Sequence, residues 1–190
     1  MPPKTKVTRD DIIDAAFELI RRYGVEALNV RALAKRLDCS TQPVMYHFAT
    51  MDDLKKTVYE HADLFHTQYL LNARGQKEAL LEIGLNYIRF SLEEPHLFRF
   101  LFQSGQTKEN DLLEMINSEE LLPVLSAMKE GTGLDMEKTR EVFITVAMFA
   151  HGYASILVNN DLEYDEDLIS AHLENAWNGA FLYATKKERK

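Results

Sequence analysis

With 190 residues, 46% hydrophobic and 27% charged, the chain has enough apolar material for a folded core and the make-up of a globular protein in water. A single cysteine, Cys39, excludes an intramolecular disulfide. No run approaches the roughly 18 apolar residues of a membrane span, and the opening MPPKTKVTRDD lacks the apolar centre of a signal peptide, so the expected location is the cytoplasm.

The net charge of −8 argues against a nucleic-acid partner, but it is unevenly spread. Residues 1–60 hold 10 Lys+Arg and 9 Asp+Glu, whereas residues 61–190 hold 12 and 21. Lys4, Lys6 and Arg9 cluster at the front, and Lys55 and Lys56 follow the third helical segment. Phosphate contacts answer to local charge, so the sum alone does not exclude DNA.

Taken in chain order, Gly and Pro sit at the joints and no period-two alternation is sustained, which predicts an all-α protein. Thr8 caps a first helix with Asp10 and Asp11 in its first turn. Ile12, Ile13, Ala16, Phe17 and Ile20 form its buried stripe, and Gly24 ends it. Asn29 caps a second helix that puts Val30, Leu33, Ala34 and Leu37 on one face. Asp38-Cys39-Ser40 breaks it, and Ser40 caps a third helix from Thr41 to His47, where Pro43 falls in the tolerated first turn. Two short helices joined by so tight a turn make a helix-turn-helix, whose second helix is offered to the DNA major groove.

A fourth helix is expected from near Asp52 to Asn72, with Leu54, Val58, Leu64, Phe65 and Leu71 as its apolar positions. Gly75 is a break. Helical segments follow at Lys77–Glu93, at Pro95–Phe102, and in shorter pieces around Leu112 and Leu121. Two long closing helices are expected at Met136–Val158 and Glu166–Thr185. The expected division is an N-terminal three-helix DNA-binding domain over 1–52 and a helical effector-binding and dimerisation domain over 53–190.

On this reading Thr41, Gln42 and Pro43 enter the groove, and Gln42 can pair with adenine through two hydrogen bonds. Tyr46 and His47 donate to phosphates, which fixes register rather than sequence. Asn29, at the start of the second helix, lies where backbone amides meet phosphate. Lys6 belongs to an arm that reaches along the backbone or into a minor groove. The competing reading of His47 is a packing residue, and Leu33 and Phe48 are core on either account. Cys39 fills an apolar turn position, with a redox role as the lesser alternative.

Aromatic residues crowd the C-terminal part. Tyr87, Phe90, Phe98 and Phe102, with Met148 and His151, are candidates for an apolar effector pocket, the competing reading being ordinary core. Small residues in the closing helices permit close helix approach. Phe149, Tyr153, Trp177, Gly179 and Ala180 are the expected homodimer contacts. His61 and His66 do not share a helix face, and the acidic run at 161–167 lacks the spacing of a calcium loop. No phosphate loop or nucleophile elbow is present. The expectation is therefore no enzyme, no metal and no cofactor.

The stretches TRDDIIDAAFELI, RYGVEALNVRALAKRLDCS and TQPVMYHF followed by MDDL resemble the TetR family of transcriptional regulators. Ala32, Leu33, Ala34, Leu37, Ser40, His47, Phe48 and Leu54 carry the match. Met45 stands where that family most often has a phosphate-binding Tyr, and Met51 where it has a backbone-touching Lys. By this resemblance Tyr46 takes over part of the first role, and Lys55 or Lys56 part of the second. PHLFRFLF and MFAHGYASIL are similar to a subgroup's ligand domain. The resemblance implies an all-helical homodimer, a repressor of double-stranded DNA operators released by a small molecule. The alternative is a helical ligand-binding protein that has lost specific DNA contact.

Overall fold

The computed structural model describes residues 7–72, 79–105, 112–160 and 162–186. Among these the chain is helical throughout and has no strand: α1 (Arg9–Tyr23), α2 (Val30–Arg36), α3 (Thr41–His47), α4 (Met51–Leu71), α5 (Ala79–Glu93), α6 (Pro95–Phe102), α7 (Leu112–Ile116), α8 (Leu122–Thr132), α9 (Met136–Asn160) and α10 (Glu166–Lys186), with short 3-10 turns at Val25–Ala27 and Glu119–Leu121. Gly75 and Lys77 lie outside the described residues.

Two Thr-x-x-Asp capping boxes start the long helices of the N-terminal part. The Asp11 N–H donates to Thr8 Oγ1 at 3.1 Å, and the Thr8 N–H donates to Asp11 Oδ2 at 2.8 Å. Thr50 and Asp53 repeat the arrangement, both bonds at 3.1 Å. Thr50 thus caps α4, and the Asp52 carboxylate sits in its first turn. Ser40 makes no side-chain cap bond to α3.

The chain folds as two compact units, Met1–Phe65 with Glu94–Thr107, and His66–Glu93 with Lys108–Lys190. The division expected after residue 52 follows the motif; the packing follows contact instead, because Leu54, Val58 and Ala62 of α4 are buried and α6 packs on α1. In the first unit Ile12, Ile13, Ala16, Phe17 and Ile20 are all buried, as their 3.6-residue spacing predicts. Phe17 meets Phe65 edge-on at 5.4 Å, and Leu97, Phe98, Phe100 and Leu101 of α6 are fully enclosed. Each such side chain contributes about 1.5–3 kcal/mol by burial. Leu64 and Leu71, expected on the apolar face of α4, are exposed. Gly24 ends α1 at φ 82°, ψ 166°, a region almost confined to glycine, and a Cβ there would stand 3.3 Å from His96 Nδ1.

In the second unit α9 packs against α5, α8 and α10. Leu85, Ile88, Val124, Met128, Val142, Val146, Ile169 and Leu173 form its core. Gly84 lets α5 lie close against α10; a Cβ would fall 2.6 Å from Leu173 Cδ2. A buried polar chain ties three helices together. Asn86 Nδ2 donates to the Leu70 and Asn72 carbonyls at the end of α4, and Arg89 donates to Asn86 Oδ1, Glu82 and Glu166. Charge-assisted bonds of this kind satisfy groups that would otherwise be costly to bury.

One expectation about the membrane is corrected. An 18-residue window in α9 reaches a mean hydropathy of 1.6, long and apolar enough to cross a bilayer by length and composition. A core helix passes the same test, and Val142, Val146, Ala150, Ala154 and Leu157 of α9 are buried within the second unit.

Candidate nucleic-acid interface

The helix-turn-helix is built from the inside. Leu33 and Ala34 of α2 and Val44 of α3 are buried, and Phe48 closes the end of α3. Between the helices Asp38 takes φ 47°, a left-handed position that a short polar side chain tolerates. The Cys39 N–H then donates to the Ala34 carbonyl at 3.0 Å, which turns the chain out of α2. Cys39 is a half-buried free thiol.

This rooting decides what α3 presents. Thr41, Gln42, Met45 and Tyr46 are exposed, and Pro43 is half-buried. Tyr46 is 81% exposed, so its hydroxyl is open to a partner. Val44 is enclosed and has no surface for a thymine methyl.

Two of the expected contact residues are occupied inside the protein. Asn29 Oδ1 accepts from the Ala32 N–H at 3.0 Å, and its Nδ2 donates to the Ala27 carbonyl at 3.3 Å. Its side chain is a helix cap, worth about 1 kcal/mol. His47 Nε2 lies 3.3 Å from the Val7 carbonyl, and its ring meets Tyr46 edge-on at 5.2 Å. One ring nitrogen of His47 is thus engaged by the protein. Lys55 pairs with Asp52 at 3.7 Å. Arg9 lies over the Phe48 ring at 5.0 Å and donates to Thr57. Lys6 lies outside the described residues. Three exposed cations draw no role from sequence reasoning: Arg31, Lys35 and Arg36, all on α2. Their spacing on the outward side of a helix packed against α3 is the signal that could have found them.

The effector candidates are divided. Tyr87 OH and His151 Nδ1 share a hydrogen bond at 2.8 Å, and His151 Nε2 reaches Ser155 Oγ at 3.2 Å. Burial lowers the His151 pKa. Beside them His66 meets the rings of Tyr87 and Phe90 at 5.5 and 4.8 Å, and burial takes its pKa down to about 3. Met148 is 43% exposed, on the outer side of α9. Phe98 and Phe102 belong to the first unit, where their rings meet at 5.2 Å, tilted by 53°. Among the described residues no three His, Cys, Asp or Glu side chains gather as metal ligands.

Of the expected dimer contacts, Phe149, Tyr153, Trp177 and Ala180 are half-buried against the core of their own unit, and Tyr153 hydrogen-bonds His172. Gly179 is exposed, with nothing within 4 Å of a built Cβ. The outward positions are Met148, Gly152 and Ile156 on α9, and Leu168, Leu182 and Tyr183 on α10.

Two family models match the chain. One, described as bacterial regulatory proteins of the tetR family, covers residues 12–58, and the other, a Tetracyclin repressor-like C-terminal domain, covers residues 80–176. The chain is similar to YobS of Bacillus subtilis (strain 168), an uncharacterized HTH-type transcriptional regulator, at 22% identity over 176 residues and 90% of each chain. Among solved structures it is similar to a TetR from Streptomyces coelicolor, with a TM-score of 0.67 at 15% identity over 93% of this chain and 98% of that one. A TetR from Acinetobacter baumannii AYE, solved with minocycline, gives a TM-score of 0.59 at 18% identity over 95% and 98%.

Proposed function

The chain belongs to the TetR family of bacterial regulatory proteins, and on that footing we propose that it is a homodimeric repressor whose α3 reads operator DNA and whose second unit releases it on binding a small molecule. It is a helix-turn-helix transcriptional regulator, and the relatives it matches are regulators. Residues 1–52 bind double-stranded DNA in the cytoplasm, and residues 53–190 serve the effector and the dimer.

The observation that carries this reading is the two-sidedness of α3. Val44 and Phe48 anchor it, while Thr41, Gln42 and Tyr46 stand outward with free polar ends. Thr41, Gln42 and Pro43 enter the major groove, and Tyr46 donates to a phosphate. His47 and Asn29 hold the reading helices in place, with the α2 amides beside Asn29 toward the backbone. Lys55 and Lys6 add charge at the flanks. For the effector, the line Tyr87–His151–Ser155 beside Phe90 and His66 offers polar groups in an apolar setting, the usual make-up of a small-molecule site. The dimer forms through α9 and α10, and a two-fold pair reads two half-sites.

Fluorescence anisotropy with the intergenic DNA next to the gene, against random duplex and across a salt series, tests the reading. Sequence-selective, salt-dependent binding is expected. Binding with no selectivity and no salt slope would overturn it in favour of a helical ligand-binding protein without specific DNA contact, the reading that Met45 and Met51 support.

A further inference from the structure

Met45, exposed on α3, and Met51, at the head of α4, are apolar, and Lys55 is already paired with Asp52. Several described cations of the first unit are already engaged, and Lys56, on α4, is exposed. Arg9 is held by Phe48 and Thr57, Arg21 by Glu94 and Glu18, and Arg22 by Glu18. Arg31, Lys35 and Arg36 are exposed, and among the described residues none of them forms an ion pair or side-chain hydrogen bond.

These three occupy the outward side of α2, opposite buried Leu33 and Ala34. Arg31 and Lys35 are four apart, a like-charge pair that costs an isolated helix a few tenths of a kcal/mol. The first turn of α2 holds no acid to offset them, and Asp38 is the sole acid between residues 29 and 48. A single helix face keeping three uncompensated cations is poorly placed for stability and well placed for a polyanion. When the second helix of such a motif enters the groove, the first crosses the phosphate backbone.

We infer that α2 supplies a grip on the DNA backbone in this chain, with Arg31, Lys35 and Arg36 as its phosphate contacts. The inference rests on the DNA-binding reading above. It makes the anchoring sequence-independent, because guanidinium and ammonium groups on phosphate oxygens carry no base information.

The test uses the full chain and a labelled random-sequence duplex, with affinity followed from about 50 to 200 mM salt. Arg31→Gln, Lys35→Gln and Arg36→Gln are combined in one variant. A control removes the same charge elsewhere through Arg22→Gln, Lys129→Gln and Lys186→Gln. The expected result is a slope of log affinity against log salt that is shallower by about 0.9 for each phosphate left without its cation, with the control unchanged. Single variants at Arg31 and Lys35 should each remove about one such step. An unchanged slope in the triple variant overturns the inference while leaving DNA binding intact, and an equal change in the control overturns it as a long-range charge effect. A wild-type chain with no salt-dependent binding overturns both it and the DNA-binding reading.

Discussion

Arg21 holds Glu94 at two points: Nε donates to Oε2 at 2.8 Å, and a terminal nitrogen donates to Oε1. The pair joins the last turn of α1 to the residue before α6, 73 positions on. Glu94 is buried, and its hydrogen bonds raise the Arg21 pKa. Glu94→Ala should lower stability by about 1–2 kcal/mol, because it removes the two-point bond and leaves Arg21 only Glu18 at 3.6 Å. Urea denaturation checks this, and a loss under about half a kcal/mol would show the pair to be dispensable.

Gln42 and Tyr46 are exposed on the same short helix yet are assigned different work. Gln42→Ala should narrow discrimination between operator variants by about 1–3 kcal/mol. Tyr46→Phe should weaken all sequences alike, since it removes one phosphate donor. Competition binding with single-base operator variants separates the two. Unchanged discrimination in the first, or a selective loss in the second, would reverse the assignment.

Acid should destabilise the second unit through His66. Burial lowers its pKa from 6.5 to about 3, so the unfolded chain takes up the proton first. The neutral form's contribution is complete above pH 6.5 and is lost as pH falls toward 3. The loss at pH 5 is about 2 kcal/mol. His151, also lowered, acts with the same sign. His66→Phe should flatten the stability profile between about pH 7 and 5, and a profile as steep as wild type would remove His66 as its source.

The dimer prediction moves to residues that face outward. Ile156 and Leu182 are 54% and 52% exposed, so Ile156→Asp with Leu182→Asp adds charge without opening the core. Light scattering should show a monomer with its helical content kept. A dimer that persists would place the interface elsewhere.

Much of this architecture is legible in the sequence because local chemistry specifies it. Thr8, Asn29, Gly24 and the Pro at the head of α6 mark helix ends by the bonds they can or cannot make. The stripe of α1 and the spans of the two closing helices follow from periodicity. Partnership is not legible. Periodicity tells which face of α6 is buried, not that it packs on α1, so it groups Phe98 and Phe102 with Tyr87 and Phe90. Leu64 and Leu71 continue an apolar pattern along α4 that the fold leaves exposed. Asn29 suits both a cap and a DNA contact by residue type, and only the geometry shows that its two polar atoms are both spent within the protein. Arg31, Lys35 and Arg36 enter the charge count but draw no role from it, because their freedom from partners is a property of the folded surface.

The bond between His47 Nε2 and the Val7 carbonyl stitches the start of the chain to the last turn of α3. Whatever is fused ahead of residue 1 is therefore tethered, through Val7, to α3. An affinity tag there would be carried close to α3. A tag placed beyond α10 is fused to the second unit instead, which makes it the safer handle for every binding measurement proposed above.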